Sequence, residues 1–414
     1  MTAKLQAPRG TFDVLPADGR RRAALARTTD SVLGRAGYEP FESPVFEDTE
    51  LFARGVGEST DVVQKEMFTF EDKAGRSLTL RPEATAAICR AYVEHGMHKL
   101  PQPVKLWTSG PFFRHEAPQA GRYRQFTQLD IEALGSDDPS IDAEQILLLD
   151  EFLRRARAGE TRLLLSSLGT PETRAAYLEE LRGHLRSREA ELSEEVRERL
   201  DLNPLRAFDA DHPGTQAVMR DAPRLLDRLG PEDLEHFAEV RALLDEAGLE
   251  YEVDTTLVRG LDYYTRTVFE FVSPALGGAQ STLAGGGRYD LLVEQLGGPH
   301  TPAIGWAAGI ERILLVAQDA EDGSTARVYV AVATPEAKRQ AFGLARTLRE
   351  RGIRAELEQA GRSLKGQLRQ ADRIGARAAV IVGDGIDVKD LASGDQNGVG
   401  GADEMVARVE ELLA

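Results

Sequence analysis

The stretch Arg114-His-Glu-Ala-Pro-Gln-Ala-Gly-Arg-Tyr-Arg-Gln-Phe-Thr-Gln-Leu-Asp-Ile-Glu132 gathers residue types that handle phosphate, flat rings and cations. Strand-like runs at Val104–Pro111 and Gln125–Leu134 bracket a polar loop, so Arg114 and Glu116 lie at one side of that loop. On the second run Phe126, Gln128, Asp130 and Glu132 alternate, and alternation on a strand points all four to one face. A guanidinium can grip a phosphate through paired N–H donors, an aromatic ring can stack on a base or a cation, and carboxylates can hold a cationic or polar ligand. A solvated hairpin with alternating charges fits the same pattern, and spacing alone leaves both open.

Other constellations are compatible with chemistry but less decisive by themselves. Arg259-Gly-Leu-Asp-Tyr-Tyr264 reads as a strand end with a glycine turn and two half-buried tyrosines, which most often serve a core. Leu80-Arg-Pro-Glu-Ala-Thr85 places Pro82 where a helix tolerates proline, with Glu83 and Thr85 at the helix start, a favourable place for a carboxylate on any helix. Ala284-Gly-Gly-Gly-Arg-Tyr-Asp290 predicts a turn at Gly285–Gly287. In Gly305–Arg312, glycines at 305 and 309 allow close backbone approach, and Arg312 falls at a helix start. Lys365, Arg369, Arg373 and Arg377 recur every four residues, which sets the first three on one helix face, solvated or in contact with a polyanion.

These residues need elements to position them. Arginine- and alanine-rich residues 18–36 predict a helix stopped by Gly37, followed by an extended segment, Tyr38–Phe46. Met67–Phe70 and Ser77–Leu80 flank a turn at Asp72–Gly75, and a helix is expected over Glu83–His95. Residues 171–247 are rich in Glu, Arg and Leu at helical spacing and predict a helical insertion. Strand signals resume at Tyr251–Val258 and Thr267–Ser273. The expected organisation is therefore a catalytic domain in two parts, 1–170 and 248–317, interrupted by the insertion, with a polar linker at 318–326. Beyond it, residues 327–414 alternate strands (Val328–Ala333, Ile353–Glu358, Ala378–Val382) with helices (Pro335–Arg351, Ser363–Ile374, Asp403–Leu413), the pattern of a small α/β domain.

Composition narrows the function class. The 414 residues carry a formal net charge of −17, which disfavours indiscriminate binding of DNA or RNA but leaves room for one structured RNA on a local basic surface. No apolar run suggests a membrane span or signal peptide, so a cytoplasmic protein is expected. The single cysteine, Cys89, excludes an internal disulfide and a cysteine-based zinc site. His95 and His98 have metal-ligand spacing but no third partner, so no metal site is expected.

Arg114–Glu132 resembles the second signature motif of class II aminoacyl-tRNA synthetases, in the version of the histidine–tRNA ligase family, and Arg259–Tyr264 resembles that family's signature peptide almost letter for letter. The resemblance extends over nearly the whole chain, including Asn203–Arg206 and Gly361–Leu368. It implies an α+β catalytic domain with an antiparallel sheet flanked by helices, a helical insertion and a C-terminal α/β domain that reads the anticodon. It implies ATP and L-histidine as substrates, Mg²⁺ carried with the nucleotide, no tightly bound cofactor, histidine tRNA as partner, and a homodimer formed through Gly37–Glu47.

By the same resemblance Arg114 grips the α-phosphate and, with Arg259, is catalytic; Arg259 would lie between the histidine carboxylate and that phosphate. Glu116, Arg122, Phe126 and Arg312 complete the ATP site, Phe126 by stacking on the adenine. Arg81, Pro82, Glu83 and Thr85 fall in the histidine site, with Glu83 and Thr85 on the α-ammonium. Gln128, Glu132, Tyr263, Tyr264 and Tyr289 would face the amino acid, Glu132 and Tyr264 sharing the ring nitrogens. Gln119, Lys365, Arg369 and Arg373 would touch tRNA. The chain departs from the family at Ala84, Ala117, Ala120 and Thr127, and it is shorter between Val382 and Val388. The alternative on the same fold is a histidine-sensing paralogue, the regulatory subunit of ATP phosphoribosyltransferase. Such paralogues lack the C-terminal domain and carry degraded forms of the signature peptide, both of which are intact here.

Overall fold

A computed structural model describes residues 5–57, 60, 62–258, 261–277, 281–318 and 327–413. The chain divides into two compact units, Met1–Gln318 and Asp319–Ala414. Of the expected linker at 318–326, all but Gln318 lies outside the described residues.

The first unit opens with helix α1 (Pro16–Leu33), which has proline in its first turn and is followed by a short 3₁₀ turn. The chain then stops at Gly37, whose φ of 79° is left-handed backbone that glycine adopts without strain. Next come β1 (Glu39–Pro40), β2 (Phe46–Asp48), α2 (Thr49–Val56), β3 (Phe68–Glu71), β4 (Ser77–Leu80) and α3 (Thr85–Glu94). β5 (Val104–Phe113) and β6 (Gln125–Leu134) form the long hairpin, followed by α4 (Pro139–Arg155) and β7 (Arg162–Ser167). Asp138 caps α4 by accepting from Ser140 N at 2.8 Å, with Pro139 in the first turn. The helical stretch is α5 (Pro171–Ser187), α6 (Glu194–Arg199), α7 (Pro213–Arg220) and α8 (Pro231–Glu246). It returns through β8 (Glu252–Val253) to β9 (Thr265–Val272), β10 (Thr282–Arg288), α9 (Leu292–Gln295), β11 (Ala303–Gly309) and α10 (Ile310–Val316).

The main sheet has eight strands in the order β1-β5-β6-β11-β10-β9-β7-β8. The six central strands pair antiparallel, and the two-residue edges β1 and β8 pair parallel. Alternation divides its faces. Leu129 and Ile131 of β6, Ile304 and Trp306 of β11, and Phe269 and Phe271 of β9 join Ile146, Leu149 and Phe152 of α4 in one core. Phe237, Val240 and Leu244 of α8 enter that same core, so the last helix of the 171–247 stretch packs with the sheet. The opposite face, carrying Gln128, Asp130 and Glu132, is walled by a second cluster built from α3, α5, α6 and α7. β2, β4 and β3 form a separate three-stranded sheet.

Three expectations shift. Gly285–Gly287 is not a turn but the middle of β10. Its neighbours come too close for side chains: a Cβ on Gly286 would stand 2.0 Å from Gly305 O, and one on Gly287 2.6 Å from Thr267 O. The strand expected over Tyr251–Val258 shrinks to β8, because Asp254 Oδ1 accepts from Thr256 N at 2.8 Å and turns the chain out of the sheet. The helix expected from Glu83 begins at Thr85 instead, with the Glu83 carboxylate folded onto the N–H groups of Thr85 (2.7 Å) and Ala86 (2.9 Å).

In the second unit β12 (Arg327–Val332), α11 (Lys338–Glu350), β13 (Ala355–Leu357), α12 (Leu364–Arg373) and β14 (Ala376–Val382) alternate as expected. A hairpin that the sequence did not announce, β15 (Ile386–Asp390) and β16 (Gln396–Val399), precedes α13 (Ala402–Leu413). The sheet order is β13-β12-β14-β15-β16, parallel around β12 and antiparallel beyond β14.

Candidate active site

Register builds the floor of the site. Glu132 lies opposite Gly305, Gly305 opposite Gly287, and Gly287 opposite Val268. One row on, Asp130, Ala307, Gly285 and Glu270 face one another across the same strands. Residues this small leave room above the sheet, and a cavity of about 510 Å³ opens there.

Most of the residues singled out in the sequence converge on this cavity: Glu83, Thr85, Arg114, Glu116, Arg122, Phe126, Gln128, Tyr263, Tyr264, Tyr289 and Arg312 all line it. At one end Arg114 lies over the Phe126 ring at 5.4 Å, held by a hydrogen bond from its Nε to Pro82 O at 3.0 Å. Glu116 pairs with Arg122, Oε2 to Nε, at 3.2 Å. Arg312, in the first turn of α10, donates to Thr282 O at 2.8 Å and Gly121 O at 3.1 Å. Burial, then the nearby cation Arg122, lower the pKa of Arg312, with Glu116 and Glu270 partly opposing them. Three arginines around an aromatic ring suit a nucleotide triphosphate.

The other end is acidic and aromatic. Glu132 is 1% exposed, and its two oxygens accept from Thr85 Oγ1 (2.6 Å) and the Tyr289 hydroxyl (2.5 Å). Burial pushes its carboxyl up to about 8 even though both hydrogen bonds favour the anion. Tyr263 packs between Tyr264, 4.7 Å away, and Tyr289, 5.7 Å away. Glu132 stands just behind the cavity wall, whereas Gln128 and Asp130 line it. Burial raises the Glu83 carboxyl too, against the helix-start N–H groups that favour its charge.

Arg81 and Pro82 serve the wall. Arg81 is 1% exposed and donates to Ser43 O (2.9 Å), Ser43 Oγ (3.1 Å) and Pro111 O (3.0 Å), so its guanidinium braces backbone behind the site. Pro82 contributes the carbonyl that orients Arg114. Gln119 lies exposed in the hairpin loop, bridged to Arg122. Arg259 lies outside the described residues. Lys365, Arg369 and Arg373 are exposed on α12 of the second unit, while Arg377 is taken by Asp390.

Several lining residues carried no role of their own in the sequence, among them Asp130, Arg206 and Glu270. Asp130 shared the alternation of its strand and could have been found there. Arg206, from the short 3₁₀ helix Pro204–Asp209 in the insertion, lines the cavity although it lies about 70 residues along the chain from the end of β6 at Leu134, which no local pattern announces. Among the described residues no group of three or more His, Cys, Asp or Glu side chains could hold a metal ion.

Comparison with known proteins agrees with this geometry. The family model described as histidyl-tRNA synthetase matches residues 10–313, and that described as an anticodon binding domain matches residues 327–412. A histidine–tRNA ligase from Rubrobacter xylanophilus is 47% identical over 97% of this chain and 98% of its own length. The crystal structure of apo S. aureus histidyl-tRNA synthetase superposes with a TM-score of 0.82 at 36% identity, covering 99% of this chain and 100% of that one. A Bacillus halodurans structure titled as an ATP phosphoribosyltransferase regulatory subunit/histidyl-tRNA synthetase has a TM-score of 0.67 at 22% identity, covering 92% and 99%, and shares the fold alone. By the family models over 10–313 and 327–412 and the near full-length relatives, the chain belongs to the histidyl-tRNA synthetase family.

Proposed function

We infer that the chain activates L-histidine with ATP and transfers it to the 3′ end of histidine tRNA. The observation that carries this is one strand, β6, which presents Phe126 beneath Arg114 at one end and Gln128 and Asp130 toward an acidic, tyrosine-lined end of the same cavity, with Glu132 just behind its wall. A nucleotide at the first end and histidine at the second would meet at Arg114. The histidine carboxylate then attacks the α-phosphorus in line and pyrophosphate leaves. A hydroxyl of the terminal tRNA ribose attacks the adenylate carbonyl, and AMP leaves.

The protein's share is positioning and charge stabilisation. Arg114 holds the α-phosphate, and Arg312 meets the far phosphates. Arg259, by its place in the signature peptide, bridges carboxylate and α-phosphate. Glu116 reads the adenine amino group. Glu132 and Tyr264 read opposite edges of imidazole, a test that other side chains fail because they leave buried groups unpaired. Glu270, a carboxylate on the cavity wall, is a hard oxygen donor that would hold Mg²⁺ carried with the nucleotide, which would supply positive charge against the phosphates.

The exposed stripe Lys365–Arg369–Arg373 supports anticodon-stem contact in the second unit, and Gln119 in its exposed loop supports contact with the acceptor end. The segment Gly37–Glu47 supports a homodimer; Phe46 at its edge pairs with Phe70, centroids 6.2 Å apart, and both rings are exposed. No described helix is long and apolar enough to cross a membrane, and this reading places the work in the cytoplasm, without membrane or DNA. Incubation with histidine, ATP and tRNA tests it: histidine esterified to tRNA is expected, and ATP-dependent histidine binding with no ester formed would favour the sensor instead.

A further inference from the structure

Helix α10 is only seven residues long, too short to hold its shape by its own hydrogen bonds, yet it carries Arg312 into the nucleotide end of the cavity. Two adjacent arginines of α1 hold it at both ends. Arg21 donates from Nη2 to Leu314 O at 2.8 Å and Ala317 O at 3.2 Å, in the last turn, where a helix leaves carbonyls open. Arg22 reaches the first turn, where its Nη2 donates to Glu311 Oε1 at 2.6 Å.

Glu311 carries that hold across to β6. The ladder between β6 and β11 ends at the pair Gln128–Gly309, so the N–H of Thr127 lies just beyond it. Both Glu311 oxygens accept from this N–H, at 3.1 and 2.9 Å, and Arg22 Nη1 donates to the Thr127 hydroxyl at 2.6 Å. One planar guanidinium therefore closes a ring through Thr127 and Glu311. Arg22 also lies 5.8 Å over the Phe12 ring, which packs at 4.6 Å on Tyr123, a lining residue of the hairpin loop.

The neighbours in sequence give this clamp its meaning. Thr127 immediately follows Phe126, the ring beneath Arg114, and Glu311 immediately precedes Arg312. Arg22 does not line the cavity, but it fixes two residues that flank the nucleotide groups. Glu311 is 8% exposed, so without Arg22 its carboxylate would stay buried with no cation beside it. The acidic end has other supports: Thr85 and Tyr289 hold Glu132, and Tyr263 packs between Tyr264 and Tyr289. We propose that Arg22 is a positioning residue for the nucleotide, which through Glu311 and Thr127 sets the spacing of Phe126 and Arg312 and takes no part in holding histidine. This rests on the function proposed above.

The test sets one substrate against the other on the full chain. Binding of ATP with Mg²⁺ and of L-histidine is measured by calorimetry, and both Michaelis constants by pyrophosphate exchange, for the parent, Arg22→Met and Arg22→Lys. Methionine keeps an apolar stem and removes the charge and the donors. ATP should bind about 10- to 100-fold more weakly to Arg22→Met, the range for a lost hydrogen bond to a charged group and for a small misplacement of a binding group, while histidine should change less than about 3-fold. Lysine keeps the charge but cannot serve Thr127 and Glu311 with one fork, so Arg22→Lys should recover only part of the loss. It also carries the comparison if the methionine variant does not fold. Equal weakening of both substrates, or of neither, would overturn the assignment and leave Arg22 a structural residue of α1. If the parent binds ATP but shows no exchange with histidine, the proposed function falls, and the ATP titrations still decide the role of Arg22.

Discussion

Gly305 sits directly across from Glu132 in the sheet, and a Cβ at position 305 would stand 1.7 Å from Glu132 Oε2 and 2.3 Å from Ile131 O. The carboxylate that closes the acidic end of the cavity occupies the space a side chain would otherwise fill. One of the two atoms in the way is backbone, so neither a rotamer change nor a small shift relieves the clash.

Gly305→Ala should therefore displace Glu132, cost about 1–3 kcal/mol of stability and weaken histidine binding by about 10-fold or more. Gly309→Ala is the control, since a Cβ there meets nothing closer than 3.8 Å and should leave both properties near the parent values. Thermal melts and histidine titrations of the two variants separate them. Equal behaviour would mean that Glu132 is not held by this contact.

The Glu132 carboxyl makes substrate-free stability depend on pH. Its folded value of about 8 exceeds the ordinary 4.5, so between these pH values the unfolded chain has released a proton that the folded chain still holds. The unfolded state then binds fewer protons, and the free energy of unfolding falls as pH rises through this window and levels off above it. Glu132→Gln removes that contribution. Denaturant midpoints at pH 5 and pH 8 should show the parent losing at least about 1 kcal/mol more than the variant over the interval, given about 1.4 kcal/mol for each unit of separation. Asp130 and Glu83 are also raised by burial and remain in both proteins; because the Glu132 charge itself helps to raise Asp130, the difference reports Glu132 together with its effect on Asp130. The same slope in both proteins would place the Glu132 titration elsewhere.

How far the sequence reached is clearest along β6. Alternation correctly set Gln128, Asp130 and Glu132 on one face with Leu129 and Ile131 in the core, because a period of two follows from strand geometry alone. It did not separate Glu132, sealed by Thr85 and Tyr289, from Asp130, which faces the cavity, since that depends on partners 47 and 157 residues away from Glu132. The same limit explains Gly285–Gly287. A glycine run is locally a turn, and only the approach of Gly305 and Thr267 from neighbouring strands makes it a strand. Arg81, assigned to the histidine site through the family resemblance, donates to Ser43 O, a long-range contact that local pattern does not encode.

The division between Gln318 and Asp319 makes the next prediction. A chain ending at Gln318 should fold and form histidyl-adenylate, because the cavity is built wholly from residues before that point. It should charge tRNA poorly. In the full chain, replacing Lys365, Arg369 and Arg373 with alanine should weaken tRNA binding and flatten its salt dependence by about three counterions, without changing adenylate formation. Salt-dependent binding beside pyrophosphate exchange measures both, and undiminished charging by the shortened chain would remove the second unit from recognition.

The most direct measurement is amino-acid-dependent exchange of labelled pyrophosphate into ATP by the purified chain, because exchange requires one cavity to bind both substrates and reverse the activation step. The cavity holds a triphosphate-suited arginine cluster at one end and a sealed, tyrosine-lined carboxylate pocket at the other. Exchange should therefore appear with histidine and stay at background with the other amino acids. It should drop by about 100-fold or more in Arg114→Ala, which removes a donor aimed at developing phosphate charge. Absence of histidine-dependent exchange, or exchange that Arg114→Ala leaves intact, would contradict the account.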